Sequence, residues 1–107
     1  MKFTLEQKVA YYRNRADDPN LKQTQREYAD AFVGAVDLEC RVFRGKETEQ
    51  RNVVQGLYEN RLSRKPQGFE NATQSGKFQG SMAVYDAVLK GEKLPKKIWW
   101  YGEDKTR

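Results

Sequence analysis

The chain has 107 residues, 37% hydrophobic and 33% charged, with 20 Lys and Arg against 15 Asp and Glu and a net charge of +5. One domain fits that length, no run approaches the roughly 20 apolar residues that span a bilayer, and Met1-Lys2-Phe3-Thr4-Leu5-Glu6 lacks the apolar stretch of a secretory signal. Aromatic residues at 12% argue against disorder, so a small, polar-surfaced, cytoplasmic domain is expected, and its single cysteine, Cys40, cannot form an internal disulfide.

Thr4 and Gln7 have the spacing of a capping box. Leu5, Val9, Tyr12 and Ala16 then recur at helical intervals until Asp17-Asp18-Pro19-Asn20 turns the chain, which predicts a first helix over about 5–16. Asn20 with Gln23 is the expected cap of a long second helix. Its stripe of Tyr28, Ala31, Phe32, Ala35, Leu38 and Val42 ends at Gly45. After a link at Lys46 to Thr48, the residues Val54, Leu57, Tyr58 and Leu62 predict a third helix that ends before Pro66. Gln67 to Lys77 reads as a loop with a helix start near Asn71 or Thr73. Phe78, Met82, Tyr85, Val88 and Leu89 form the last stripe, closed by Gly91, and Pro95 follows. Residues 92–107 are left as a short strand or an extended arm.

Residues 11–46 fall on 57–92 without a gap. Tyr12, Asn14 and Arg15 match Tyr58, Asn60 and Arg61; Phe32 and Gly34 match Phe78 and Gly80; Val42 and Gly45 match Val88 and Gly91. Average residue usage would give roughly two identities over such a window. The expected fold is therefore all-α: one domain over 1–107, built from two pseudo-symmetric helical hairpins at about 1–46 and 47–92, with a basic and aromatic tail at 93–107. Tyr12, Tyr58, Phe32 and Phe78 are read as packing residues. Arg15 and Arg61 are read as stabilising helix carboxyl ends. Gly34 and Gly80 are expected where another backbone approaches closely, because glycine otherwise costs about 1 kcal/mol in a helix interior. Neither Gly76 nor Gly80 belongs to a phosphate-cradling motif.

Chemistry finds few candidates. Histidine is absent, which removes the usual general base near neutral pH, and Cys40 between Glu39 and Arg41 reads as a small packed residue rather than a nucleophile. Zinc ligands are too few. Asp17, Asp18 and Asn20 lack the glycine and distal glutamate of a calcium loop, and Glu27 with Asp30 reads as a solvated helix face. No catalytic, metal or cofactor site is assigned.

Charge points elsewhere. Residues 41–65 carry +4 and 90–107 carry +3, against −1 for 1–40 and −1 for 66–89. Lys93, Lys96 and Lys97 adjoin Trp99, Trp100 and Tyr101, a pairing of phosphate-seeking charge and stacking surface that equally suits a protein interface or a segment folded onto the bundle. With Arg61, Arg64 and Lys65 these residues form the expected partner-binding set. The sequence thus describes a small non-catalytic binding or adaptor protein acting on a protein or nucleoprotein partner. The other readings are a stoichiometric inhibitor of a host nuclease or other defence protein, of the kind phages and mobile elements use, a direct nucleic-acid binder, and a homo-oligomer paired through the second helix.

Overall fold

Thr4 opens the first helix as expected: its hydroxyl accepts from the Gln7 N–H at 3.1 Å while the Gln7 side chain accepts from the Thr4 N–H at 2.9 Å. In the computed structural model, which describes residues 3–64, 68 and 71–95, this is α1, Leu5–Ala16. It is followed by α2, Gln23–Phe43; α3, Arg51–Ser63; and α4, Ala72–Leu89. No strand occurs among the described residues, and the fold is all-helical.

The start of α2 corrects the expected cap. Lys22 precedes the first helical residue, and its N–H is met by the Gln25 side chain at 3.1 Å. Asn20 lies in the preceding turn, where its N–H donates to the Asp18 carboxylate at 2.9 Å. Asn71 is the cap of α4, its side-chain oxygen accepting from the Gln74 N–H at 2.9 Å. Both long helices are followed by glycines with left-handed backbone, Gly45 at φ 79° and Gly91 at φ 84°. After α4 the Glu92 and Gly91 N–H groups return to the carbonyls of Ala87 and Val88 at 2.9 and 3.0 Å, closing the helix with the paired bonds of a Schellman turn.

The centre of the molecule is the pair α2 and α4, which run in the same direction. Gly76 stands against Tyr28, Ala31 and Phe32, Gly80 against Phe32 and Ala35, and Tyr85 against Glu39 and Phe43. Without Cβ atoms at 76 and 80 the two backbones approach closely. α1 packs against α2, and α3 against α4. Leu5, Val9, Phe32, Val33, Val36, Cys40, Phe43, Val54, Met82, Val84, Tyr85 and Val88 fill the interior between them.

The packing expectations hold in part. Of the expected α2 stripe Phe32 and Ala35 are buried, but Leu38 and Val42 are 60% and 56% exposed, and Leu62 also faces solvent; α2 buries Ala29, Val33, Val36, Asp37, Cys40 and Phe43 as well, so its inward face is turned towards the neighbouring stripe. A Cβ at Gly34 would meet nothing within 4 Å, so the close approach belongs to Gly76 and Gly80 alone. Arg15 and Arg61 lie in the last turns of α1 and α3, where a cation suits the helix dipole, and each guanidinium also stands over a tyrosine ring, Arg15 over Tyr11 at 5.3 Å and Arg61 over Tyr85 at 5.9 Å. Helix-end carbonyls are bonded by Arg51, which donates to Val88 and Leu89 at the end of α4.

Candidate functional site

The end of the molecule at which α2 and α4 finish also receives the start of the C-terminal segment. Leu94 is only 4% exposed, and its N–H donates to the Glu47 carboxylate at 2.9 Å. Burial pushes the Glu47 carboxyl up, but the backbone amides of Leu94, Glu47 and Gly45 outweigh it and hold the group below the usual carboxylate range. Glu92 accepts from the Leu5 N–H at 3.2 Å. An anion is thereby placed on the amino terminus of α1, where orphan amides and the helix dipole favour it. Lys93 and Lys46 are exposed at this end, as is Lys90, whose ammonium pairs with Asp86 at 2.8 Å.

Of the expected nine-residue partner surface, Arg61, Arg64 and Lys93 lie among the described residues. Arg51 touches the carboxyl end of α4, whereas Arg61 lies ten residues further along α3, roughly 15 Å away at 1.5 Å per residue. Arg61 and Arg64 therefore lie well along the molecule from Lys93. Lys65, Lys96, Lys97, Trp99, Trp100 and Tyr101 lie outside the described residues. Of the residues assigned to packing, Phe32 belongs to the core, and Tyr12, Tyr58 and Phe78 are half-buried against that core.

Arg61 belongs to a different arrangement. The Tyr85 hydroxyl donates to the Glu39 carboxylate at 2.7 Å beneath the Arg61 guanidinium. Burial, then the bond to Glu39, pushes the Tyr85 phenol up to about 12. These groups adjoin a groove of about 580 Å³ between α2 and α4, floored by Ala31, Gly34, Ala35 and Ser81 and edged by Glu27, Asp30 and Glu39 on α2 and by Lys77 on α4. Glu27 and Asp30 share this edge, as their spacing implied.

Two further hollows, of about 560 and 460 Å³, flank α1 and meet at Tyr11 and Tyr12. They hold the aromatic residues Phe3, Tyr28 and Phe32 and the cations Lys8 and Arg15. The sequence reading missed this face, although Phe3 and Tyr11 fall off the α1 core stripe and are 58% and 55% exposed. It also missed buried Asp37, which pairs with Arg41 at 2.9 Å.

Cys40 is fully buried, and its thiol is pushed up to about 12, chiefly by burial, so the thiolate needed for nucleophilic attack is not populated near neutral pH. Among the described residues no cluster of His, Cys, Asp and Glu has the geometry to hold a metal ion, and none of their helices is long and apolar enough to cross a membrane. Comparison with protein-family models, curated proteins and solved structures finds no match to the chain.

Proposed function

We propose that the chain is a non-catalytic binding protein that regulates or inhibits a protein or nucleoprotein partner through a basic and aromatic surface. The observation that carries this reading is the anchoring of Leu94 on Glu47. It fixes the root of the segment containing Lys96, Lys97, Trp99, Trp100 and Tyr101 at the end of the molecule where Lys46, Lys90 and Lys93 are exposed. Cations around such a root attract an acidic or phosphorylated surface, and tryptophans supply large contact area. The same reading takes the two hairpins as copies of one unit. It is supported by helix starts at 5 and 51 and helix ends at 43 and 89, and by the contact of Glu39 with Tyr85, 46 positions on.

The test is capture from a lysate of the source cells by the immobilised chain and by a Lys93→Glu, Lys96→Glu, Lys97→Glu variant, with and without nuclease. A partner retained by the first and lost by the second supports the reading, and the nuclease arm separates a protein from a nucleoprotein. Equal capture by both chains removes the surface from consideration. Exposed Leu38 and Val42 favour a second reading, self-association through α2. Light scattering at several concentrations tests it, and a mass equal to one chain throughout would end it.

A further inference from the structure

We infer that the flank of α1, where it borders α2 and α4, is a binding site for single-stranded nucleic acid, in which bases stack on Phe3 and Tyr11 and phosphates are met by Lys8 and Arg15. The inference deepens the basic and aromatic reading above and rests on it for the kind of partner, but it uses none of the tail residues.

Sequence spacing creates the face. At 100° per residue, positions 7, 8, 11 and 15 fall on one flank of α1, beside buried Leu5, Val9 and Ala16, and Phe3 lines the same hollow as Gln7, Lys8 and Tyr11. Aromatic and cationic residues therefore alternate along it: Phe3, Lys8, Tyr11, Arg15. Phe3 and Tyr11 are both more than half exposed, which leaves large ring surface facing water.

The platform is held in place from below. Tyr11 meets Tyr12 edge-on at 5.0 Å and 81°. Tyr12 is in turn packed on Phe32 at 4.3 Å and on Tyr28 at 5.6 Å. The Arg15 guanidinium stands 5.3 Å from the Tyr11 ring, which places a delocalised cation at the junction of the two hollows. A stacking surface fixed before binding loses little side-chain freedom when it is used.

The chemistry of the linings selects the ligand. Five aromatic residues line the paired hollows, together with Lys8, Arg15, Gln7, Gln25, Thr24 and Ser75, and none of the lining residues is Asp, Glu, Leu, Ile, Val or Met. Rings with cations and neutral hydrogen-bonding groups suit planar bases on a phosphate backbone. The α2–α4 groove, where Glu27, Asp30 and Glu39 outnumber Lys77 and Arg61, offers phosphate no such cationic lining.

The test titrates a labelled oligothymidylate strand by fluorescence anisotropy at several salt concentrations, with the chain and its Tyr11→Ala, Tyr11→Trp and Lys8→Ala variants. Stacking is worth roughly 1–3 kcal/mol per base, so Tyr11→Ala should weaken binding about tenfold or more, while Tyr11→Trp restores it. Lys8→Ala should lower the salt slope by about 0.7. Circular dichroism confirms that each variant keeps its helices. Absence of strand binding by the unaltered chain, equal binding by Tyr11→Ala, or loss caused only by the Lys93, Lys96, Lys97 variant would each overturn the site. The Lys93, Lys96, Lys97 capture test reports separately on the broader reading. Equal affinity for anionic lipid vesicles, with Tyr11→Ala unaffected, would reduce the face to a charge patch and also overturn it.

Discussion

A methyl group added at Gly80 would stand 2.5 Å from the Phe32 carbonyl oxygen and 2.9 Å from the Ala35 Cβ, whereas one added at Gly34 would meet nothing within 4 Å. Backbone cannot retreat as a side-chain tip can, so Gly80→Ala must push α2 and α4 apart, at a cost of about 1–3 kcal/mol. Gly34→Ala should raise stability by about 1 kcal/mol, because it removes glycine's helix penalty without a clash. Urea unfolding of the two variants checks the pair, and effects of the same sign would contradict this account of the crossing. Tyr85 gives a pH dependence of definite sign. Its phenol is raised from 10.0 to about 12, first by burial and then by Glu39, so the folded chain holds the proton more tightly than the unfolded one. That contribution is complete below pH 10 and is lost as pH rises through 10 to 12. Tyr28 behaves alike, pushed to about 12 chiefly by burial. Stability measured by urea should fall across that window, and Tyr85→Phe should make the fall shallower.

Among the elements, α1 was legible from the sequence almost to the residue, because a capping box and a turn cluster bracket a single apolar stripe. α2 was not. A helix clasped by both α1 and α4 buries a wide face, and its sequence holds two adjacent stripes of similar hydrophobicity; only the neighbours decide that Val33, Val36 and Cys40 lie inside while Leu38 and Val42 lie outside. Leu38→Ser should therefore change stability by no more than about 0.5 kcal/mol, whereas Val36→Ala should cost about 2 kcal/mol through its cavity. Thermal unfolding of the two variants distinguishes them, and a large loss at Leu38 would restore the expected stripe. The α1 face escaped notice for a related reason. Averaging charge over residues 1–40 gives −1 and hides Lys8 and Arg15 among the carboxylates of α2 and the turn, and Phe3 and Tyr11 interrupt the core stripe without forming one of their own. Helix ends were legible where a capping box stands directly before an apolar stripe, as at Thr4, and less so where turn-forming residues run on into the helix, as from Asn71 to Lys77. They were illegible where the partner comes from a distance, as when Arg51 reaches the end of α4 or Glu92 the start of α1.

For the molecule as a whole, the four helices are locked at the end where the long helices finish. There Leu94 enters the core and its amide meets Glu47 from the turn after α2, while Glu92 meets the first amide of α1. Two distant stretches of chain are tied by residues that follow the last helix. A short helical domain has little apolar area to spare, so a buried leucine outside any helix bears on global stability as heavily as one within. Leu94→Ala should cost about 2–3 kcal/mol by loss of burial and an unfilled space. For a domain of about 100 residues, where 1 kcal/mol shifts the midpoint by about 4–8 °C, this lowers Tm by about 8–24 °C. Glu47→Gln keeps the acceptor oxygen for the Leu94 N–H but removes the charge that the turn amides stabilise, so its loss should be smaller, about 1 kcal/mol. Far-UV circular dichroism during heating measures both variants. A Leu94→Ala chain that melts with the unaltered one would show that the root of the tail merely rests on the bundle, and the case for a partner surface fixed at that end would fall with it.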